Sequence, residues 1–311
     1  MNAIPRRLRI ATRESRLALR QTGMVAAAIG VRHATLEVET VGMTTRGDQV
    51  LDRPLAQVGG KGLFVKELEV ALDEGRADIA VHSMKDVPMR IPEQFALVTF
   101  GAREDARDAF VSNRFASLAA LPAGAVVGTS SVRRECQLRG LYPGLVFRAL
   151  RGNVNTRLAK LDAGDYDAII LAAAGLNRLE LDARVRATLD ETIPAIGQGI
   201  LAIEYRRDRE DIARLMAGFE LDATACAARA ERALGLVVEG SCEVPVGALA
   251  RVGGDVIAIE GFIGMPDGTR LVRESASGPS EDAQRLGAEL GERLLAAGGR
   301  EILRSLVGVN A

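Results

Sequence analysis

Short apolar runs alternate with amphipathic segments along the first two thirds of the chain, and this alternation limits the fold to a few architectures. The runs in the first third have the length and composition of strands and cover residues 8–11, 36–44 and 79–81. One helix is predicted to begin after Ser15, and the apolar spacing of residues 64, 68, 71 and 72 predicts another. Such an order is typical of a mostly parallel sheet with helices on its faces.

The middle third repeats this order without repeating the sequence. Its predicted strands are residues 125–128, 145–150 and 168–172, and its helices begin near Ser131 and Asn155. The last third differs, because a helix over residues 223–234 leads to a loop and then to short strands with turns at residues 253–254 and 266–268. A final helix is predicted to be capped by Ser280. The chain therefore combines two α/β domains with a smaller α+β domain.

The length of 311 residues is too great for one ordinary core and favours two to three domains. Residues 192–199 are rich in Pro and Gly and suit a hinge, after which the apolar residues 200–203 are expected to return to the first sheet. The predicted domains are residues 1–100 together with 197–218, residues 101–196, and residues 219–311.

Composition excludes several classes of protein. The net charge is -1, from 40 basic and 41 acidic residues, so no overall field attracts nucleic acid or anionic lipid. No apolar run approaches membrane-spanning length, and arginines interrupt the first 20 residues, so no signal peptide is expected. Three widely spaced cysteines and two histidines argue against a disulfide framework and a metal site. We predict a soluble cytoplasmic protein without a membrane or nucleic-acid partner.

Basic side chains recur where the predicted strands end. In open α/β sheets the carboxyl ends of the strands and the amino ends of the helices meet at the ligand-binding edge. Guanidinium groups there match carboxylates or phosphates through paired hydrogen bonds. The polar and basic residues at these positions include Arg13, Ser15, Lys61, Lys85, Ser131, Arg133, Arg134, Arg151, Arg157 and Arg178. One such residue is usually a solvated surface group, but the recurrence predicts a small ligand with several anionic groups.

Asp86 is an unusual member of this set because it carries a negative charge. A carboxylate among anion-binding groups suits a site where a positive centre forms or a proton moves. His82, four residues earlier, is predicted to be a hydrogen-bonded structural group rather than a base.

Cys242 differs from the other two cysteines in its surroundings. Cys136 and Cys226 lie in predicted helices and are expected to be small buried hydrophobes. Cys242 lies in a loop of Gly, Ser and Pro residues, where a thiol is accessible. The nearby Glu239 and Glu243 would raise the pKa of its thiol, so its sequence neighbours do not indicate an activated thiolate.

Three functions remain open at this point. The chain is an enzyme that holds an anionic ligand covalently, a binding module for a small anion, or a different enzyme with a cysteine nucleophile. A binding module has no use for a loop thiol in a third domain. A cysteine nucleophile would need a histidine partner, and neither histidine is a persuasive one.

Six motifs, in order along the chain, together resemble the porphobilinogen deaminase family, also called hydroxymethylbilane synthases. They are RIATRxS at 9–15, TRGD at 45–48, GGKGLF at 59–64, HSMKDVP at 82–88, GTSSxRR at 128–134 and LRGN at 150–153. Residues 194–199 and the loop around Cys242 extend the resemblance over almost the whole chain. One departure is that Ser241 and Glu243 replace the Gly and Gln that often flank the cysteine in the family.

The resemblance implies three domains, the first two of the type II periplasmic-binding-protein kind. It also implies a dipyrromethane cofactor joined by a thioether to Cys242. Such a transferase condenses four porphobilinogen molecules head to tail on this primer, losing one ammonia each time, and hydrolysis then releases the linear tetrapyrrole hydroxymethylbilane. Loss of ammonia leaves a cationic azafulvene, which accounts for one carboxylate among many cations. A monomer suffices for this chemistry.

The resemblance also assigns roles to individual residues. Asp86, with Lys85 beside it, is implied to be catalytic, holding the pyrrole nitrogens and stabilising cationic intermediates. Phe64 is placed near the pyrroles. The remaining residues implied to bind cofactor and substrate are Arg13, Ser15, Lys61, Ser131, Arg133, Arg134, Arg151, Arg157, Arg178 and Gln198.

Overall fold

The structure is a computed structural model that describes residues 5–45, 47, 62–238 and 244–308. The strands are β1 Arg7–Arg13, β2 Glu37–Met43, β3 Ile79–Ser83, β4 Phe95–Phe100, β5 Asp108–Val111, β6 Val126–Gly128, β7 Val146–Arg148, β8 Ala168–Ala172, β9 Ala187–Leu189, β10 Leu201–Arg206, β11 Val246–Gly253, β12 Val256–Gly264 and β13 Leu271–Pro279. The α-helices are α1 Arg16–Arg32, α2 Lys66–Asp73, α3 Val132–Leu141, α4 Val154–Asp162, α5 Ala173–Arg178, α6 Glu210–Ala217, α7 Asp222–Val237, α8 Ala283–Leu294 and α9 Arg300–Gly308.

Two five-stranded sheets have the same plan. The first has the order β2-β1-β3-β10-β4, and the second has the order β7-β6-β8-β5-β9. In each sheet the three strands at one end are parallel, and the fourth strand runs antiparallel to both of its neighbours. The prediction of an α/β fold is therefore confirmed, and residues 201–206 do return to the first sheet. The sequence did not predict β4, β5 and β9.

Helix α1 shows how local sequence signals set the position of a helix beside the first sheet. The Ser15 hydroxyl accepts a hydrogen bond from the Ala18 amide at 3.3 Å and so caps the first turn. Val25 and Ile29 of this helix are fully buried against Leu8 and other apolar side chains of the first sheet. The cap fixes where the helix begins, just beyond the carboxyl end of β1.

The third sheet is an antiparallel meander in the order β11-β12-β13, packed against α7 and α8. This confirms the predicted α+β character of the last third. The cap predicted at Ser280 is wrong. Residues Ser280–Asp282 form a 3-10 turn, the helix starts at Ala283, and no side chain caps either element. The Ser280 amide instead donates to the Asp255 carbonyl and so continues the hairpin of β12 and β13.

A buried ion pair joins the third sheet and its helices to the segments that connect the first two sheets. Glu231 of α7 is completely buried and pairs with Arg103 at 2.5 Å. It also accepts hydrogen bonds from the backbone amides of Gly197 and Ala250 at 2.7 Å each. Residues 101–107 and 190–200 therefore converge on one carboxylate. The boundaries proposed for the three domains stay a prediction.

No helix in the described part of the chain is both long enough and apolar enough to cross a bilayer.

Candidate active site

A cavity of about 500 Å³ lies between the first two sheets and is lined by residues from both. It is formed by the segments that follow the strands β1, β3 and β8 and by the start of α4. This is the edge of the sheets at which the sequence predicts ligand binding. The predicted site residues on its wall are Arg13, Ser15, Phe64, Lys85, Asp86, Arg134, Arg151, Arg157 and Arg178.

Lys85 and Asp86 reach the cavity through a tight turn. Strand β3 ends at Ser83, and Met84–Asp86 form a 3-10 turn closed by the Val87 amide donating to the Met84 carbonyl at 3.1 Å. The Met84 side chain is buried below the turn, packed so closely on Gly197 that a Cβ there would lie 2.6 Å from the Met84 Cγ. The two charged side chains after Met84 line the cavity instead.

Lys85 is partly withdrawn from solvent, and this changes its acid–base behaviour. Burial lowers the pKa of Lys85 to about 8, although the adjacent carboxylate of Asp86 acts in the opposite direction. Its ammonium donates to the Gln198 side-chain oxygen at 3.4 Å. A lysine with this pKa binds an anion as a cation and releases a proton near neutral pH.

Arg13 and Phe64 form one corner of the cavity. The guanidinium carbon of Arg13 lies 4.3 Å from the centroid of the Phe64 ring, which is a cation–π contact. A Cβ at Gly47 would lie 2.3 Å from this ring, so only glycine leaves room for Phe64. Phe64 precedes α2, which begins at Lys66, although its spacing had predicted a place inside the helix.

The opposite wall is built around the first turn of α4. The Asn153 side chain caps this helix by accepting from the Thr156 amide at 3.0 Å. Arg157 donates through Nε to the Gly152 carbonyl at 2.7 Å. Burial, together with the charges of Arg134 and Arg151, lowers the pKa of Arg157 to about 10. The guanidiniums of this wall remain charged at neutral pH and repel one another, which favours an anionic ligand between them.

Arg178 has a donor that the described residues do not use. Its Nη2 donates to the Gly199 carbonyl at 2.7 Å, but its Nε is buried and has no hydrogen-bond partner among the residues that the structure describes. Burial lowers the pKa of Arg178 to about 10. A buried donor without a partner is costly, and a carboxylate in the cavity would satisfy it.

Arg133 and Arg134 are adjacent in sequence but differ in position. Both pair with Asp108, through Arg133 Nη1 at 2.8 Å and Arg134 Nη2 at 2.9 Å. Arg134 also lines the cavity, whereas Arg133 is buried behind it and donates to the Ile193 carbonyl at 2.6 Å. The structure therefore brings Arg134 to the site but does not place Arg133 on its wall.

Ser131 and Gln198 also lie off the described cavity wall. The Ser131 hydroxyl caps α3 by accepting from the Arg134 amide at 3.4 Å. Gln198 is 1 % exposed, and its amide nitrogen donates to the Ala106 carbonyl at 2.7 Å and to Asp108 at 2.9 Å. Both residues hold other parts of the site in place.

Sequence reasoning missed Asp108, which is completely buried at the start of β5. Burial alone would raise the pKa of its carboxyl, but the charges of Arg133 and Arg134 outweigh this and hold the pKa well below its usual range. It also missed Glu14, which lines the cavity and accepts a hydrogen bond from Thr44 at 2.5 Å.

His82 and two of the cysteines are buried groups with structural roles. His82 Nε2 lies 3.0 Å from the Glu204 carboxylate, with both side chains buried, which confirms the prediction of a hydrogen-bonded histidine. Cys136 and Cys226 are buried, as predicted, and burial raises the pKa of Cys136 to about 12. Lys61 and Cys242 lie outside the described residues.

The first and second five-stranded sheets, each with its helices, form two similar lobes, called here the first and the second lobe. Fold and site together define an α/β protein with a cationic cleft for a small polyanion. Two family models match the chain: "Porphobilinogen deaminase, dipyromethane cofactor binding domain" over residues 8–214, and "Porphobilinogen deaminase, C-terminal domain" over residues 225–296. The chain belongs to the porphobilinogen deaminase family. It catalyses the stepwise condensation of porphobilinogen on a dipyrromethane primer in tetrapyrrole biosynthesis. The alternative of a simple binding module is thereby set aside.

Several solved structures are similar to about two thirds of the chain. The periplasmic VFT2 domain of BvgS from Bordetella pertussis is 16% identical with a TM-score of 0.40, covering 67% of this chain and 84% of that one. Immunogenic lipoprotein A from Vibrio vulnificus is 16% identical with a TM-score of 0.43, covering 72% and 99%. A putative methionine-binding lipoprotein from Bacillus subtilis is 9% identical with a TM-score of 0.43, covering 68% and 90%.

The predicted α/β character is confirmed by the sheets themselves, which form two five-stranded α/β units and a smaller α+β unit. The residues present also fit the family's cofactor. The cavity wall offers several guanidiniums to a ligand with carboxylate side chains, and the buried Nε of Arg178 lacks a partner in the described part of the chain.

Proposed function

We propose that this chain is a hydroxymethylbilane synthase in which Asp86 and Lys85 act at the reacting centre and the surrounding arginines hold the carboxylates of substrate and cofactor. The observation that carries the proposal is the placement of Asp86 and Lys85 together in a wall of guanidiniums. When bound, the dipyrromethane supplies the primer that is lengthened.

Binding is the task of the guanidiniums. Porphobilinogen carries an acetate and a propionate, and each is a planar anion that a guanidinium fork fits. Arg13 approaches from the first lobe, and Arg134, Arg151, Arg157 and Arg178 from the second. Anions that lie between these guanidiniums offset their mutual repulsion, which favours substrate binding.

Asp86 is suited to stabilise positive charge. Loss of ammonia from porphobilinogen leaves an azafulvene whose nitrogen carries cationic character. The Asp86 carboxylate is half-buried, and it accepts no hydrogen bond from any residue that the structure describes. It is thus available to accept one from a pyrrole N–H and to offset the developing charge.

Lys85 is suited to move a proton. Its pKa of about 8 lies near neutral pH, where a general acid or base is most effective, whereas the neighbouring arginines stay protonated. During the loss of ammonia, Lys85 thus transfers a proton and Asp86 stabilises the positive charge.

The packing of α7 beside the Asp86 segment supports a role for Cys242 in holding the cofactor. Arg232 of α7 donates to the carbonyls of Pro88 and Met89 at 2.9 and 2.8 Å, in the segment directly after Asp86. A Cβ at Gly235 of the same helix would lie 2.6 Å from the Met89 sulfur. The last turns of α7, which ends five residues before position 242, thus pack against the segment directly after Asp86. Cys242 is proposed to be the thiol that tethers the cofactor.

We further propose that the enzyme acts in the cytoplasm as a monomer and without nucleic acid. The near-neutral net charge supports the last point. Sedimentation of the purified protein at micromolar concentration tests the oligomeric state.

The role of the cationic wall is tested by Arg178→Gln. We expect the KM for porphobilinogen to rise about tenfold or more, because the variant loses a charge-assisted hydrogen bond to a substrate carboxylate. The matched control is Arg184→Gln, which removes an arginine of the same lobe that pairs with Asp162 at the surface. Steady-state ammonia release and thermal unfolding are measured for both. Equal KM values in the two variants would remove Arg178 from substrate binding.

A further inference from the structure

The buried carboxylate of Asp108 is connected to cavity-lining cations of both lobes. It contacts Arg134 directly and Lys85 through the side chain of Gln198. Asp108 accepts from Arg134 Nε at 2.9 Å, and Arg134 lies on the wall of the second lobe. Asp108 also accepts from Gln198 at 2.9 Å, and Gln198 accepts from Lys85 of the first lobe at 3.4 Å. The positions of Lys85 and Arg134 are therefore linked behind the cavity rather than across it.

Gln198 is held so that only one orientation of its amide satisfies all of its neighbours. Its nitrogen donates to the Ala106 carbonyl and to Asp108, both of which are acceptors only. Its oxygen must therefore face the Lys85 ammonium, which is a donor only. Since the side chain is 1 % exposed, water does not replace these partners. The amide thus defines where the Lys85 nitrogen lies.

Lysine is rare in this protein, which makes its use at the site informative. The sequence contains four lysines, Lys61, Lys66, Lys85 and Lys160, among 40 basic residues. The other predicted anion-binding residues on the described cavity wall with a positive charge are arginines. An arginine in place of Lys85 would still bind anions, so the choice of lysine points to a need for a group that loses its proton.

We propose that Gln198 is a positioning residue that sets the location and proton affinity of Lys85 from outside the cavity, with Asp108 fixing the orientation of its amide. This inference rests on the function proposed above, because it gives Lys85 a part in proton transfer. It replaces the role of direct ligand that the resemblance implies for Gln198.

The charges that face Lys85 come from both lobes. Asp86 and Asp108 favour its protonated form, and Arg133 and Arg134 disfavour it. Gln198 adds a neutral acceptor that stabilises the ammonium by a hydrogen bond without altering the net charge. Changing Gln198 therefore alters the titration of Lys85 while the four charged groups stay in place.

The test uses two changes at Gln198 with opposite expected signs. Gln198→Met keeps the volume but removes the acceptor, so the midpoint at which Lys85 loses its proton is expected to fall. Gln198→Glu replaces the acceptor with a charged one, so the midpoint is expected to rise. The readout is trace acetylation of the full-length purified protein over a pH series, followed by mass spectrometry of the peptides, with Lys66 and Lys160 as internal references.

Gln137→Met is the matched control. Gln137 is 3 % exposed, and its amide bonds to the Arg133 carbonyl and to both backbone groups of Ile193, but it does not contact Lys85. We expect this variant to leave the Lys85 midpoint unchanged. In Gln198→Met the kcat should fall about three- to tenfold, the loss typical of one hydrogen bond, and the alkaline limb of the pH–activity profile should move to lower pH.

The outcomes separate this inference from the proposed function. An unchanged Lys85 midpoint in both Gln198 variants, or an equal shift in Gln137→Met, overturns the positioning role even if Lys85 is essential. If Gln198→Met does not fold, Gln198→Glu decides alone, since a midpoint that falls or stays constant contradicts the inference. Full activity in Lys85→Met would instead refute the proposed role of Lys85 in proton transfer.

Discussion

Asp86→Asn is expected to lower kcat by about a hundred- to a thousandfold, the effect typical of losing one group that stabilises charge in the transition state. Asparagine has nearly the same shape as aspartate but carries no charge, so it fills the turn after Met84 without offsetting a cationic azafulvene. Because the Asp86 carboxylate accepts no hydrogen bond from the described residues, the variant should keep its thermal stability. Ammonia release in the steady state and thermal unfolding are the two measurements.

Glu14→Gln supplies the comparison for this variant, because Glu14 is a second carboxylate on the same cavity wall. Its carboxylate is already engaged with the Thr44 hydroxyl at 2.5 Å, and the side chain is exposed. We therefore expect a loss of activity below about fivefold. Near-normal turnover in Asp86→Asn, or equal losses in both variants, would show that negative charge at Asp86 has no special part in the reaction.

The parts of the site that follow local rules could be predicted from the sequence. Ser15 precedes an apolar helical pattern, and it does cap α1. Lys85 and Asp86 follow a short strand that begins with the apolar residues 79–81, and the carboxyl end of this strand does open onto the cavity. Each of these inferences needed only the neighbouring residues, because strand and helix ends are set by local spacing and capping.

The residues whose positions could not be predicted from the sequence depend on contacts between distant segments. Arg133 and Arg134 carry the same local signal, but successive helical residues point in directions about 100° apart, so only Arg134 reaches the cavity wall. Asp108 sits at the start of an unpredicted antiparallel strand, and its partners lie 25, 26 and 90 residues later in the chain. No local sequence pattern indicates such pairing, because the spacing of apolar residues does not reveal a single buried carboxylate.

The orientation of the Gln198 side chain also could not be predicted from the sequence. The Pro- and Gly-rich segment around it predicts a hinge, and the segment does connect the two sheets. The orientation of the Gln198 side chain depends on the carbonyl of Ala106 and on Asp108. Ala106 lies in the connection from β4 to β5 and Asp108 at the start of β5, far away in the sequence. Sequence spacing therefore locates the hinge but does not distinguish a residue that binds ligand from one that supports a neighbour.

Cys242→Ser is expected to abolish cofactor attachment and with it nearly all turnover. The wild-type protein should show an intact mass above that of its sequence by two porphobilinogen units less two molecules of ammonia, and the variant should show the mass of the chain alone. A serine hydroxyl at this position is a far weaker nucleophile than a thiol and forms no thioether. Intact-mass spectrometry of the protein after incubation with porphobilinogen measures the difference directly.

Cys226→Ser is the matched control, because it makes the same atomic change in a thiol of α7 that is 4 % exposed. The Cys226 sulfur donates to the Ser280 carbonyl at 3.3 Å, a bond that serine can retain, and burial raises the pKa of this thiol. This variant should therefore keep both the extra mass and the activity. An unmodified wild-type mass after incubation would rule out a covalent cofactor, and extra mass retained in Cys242→Ser would show that the tether lies elsewhere.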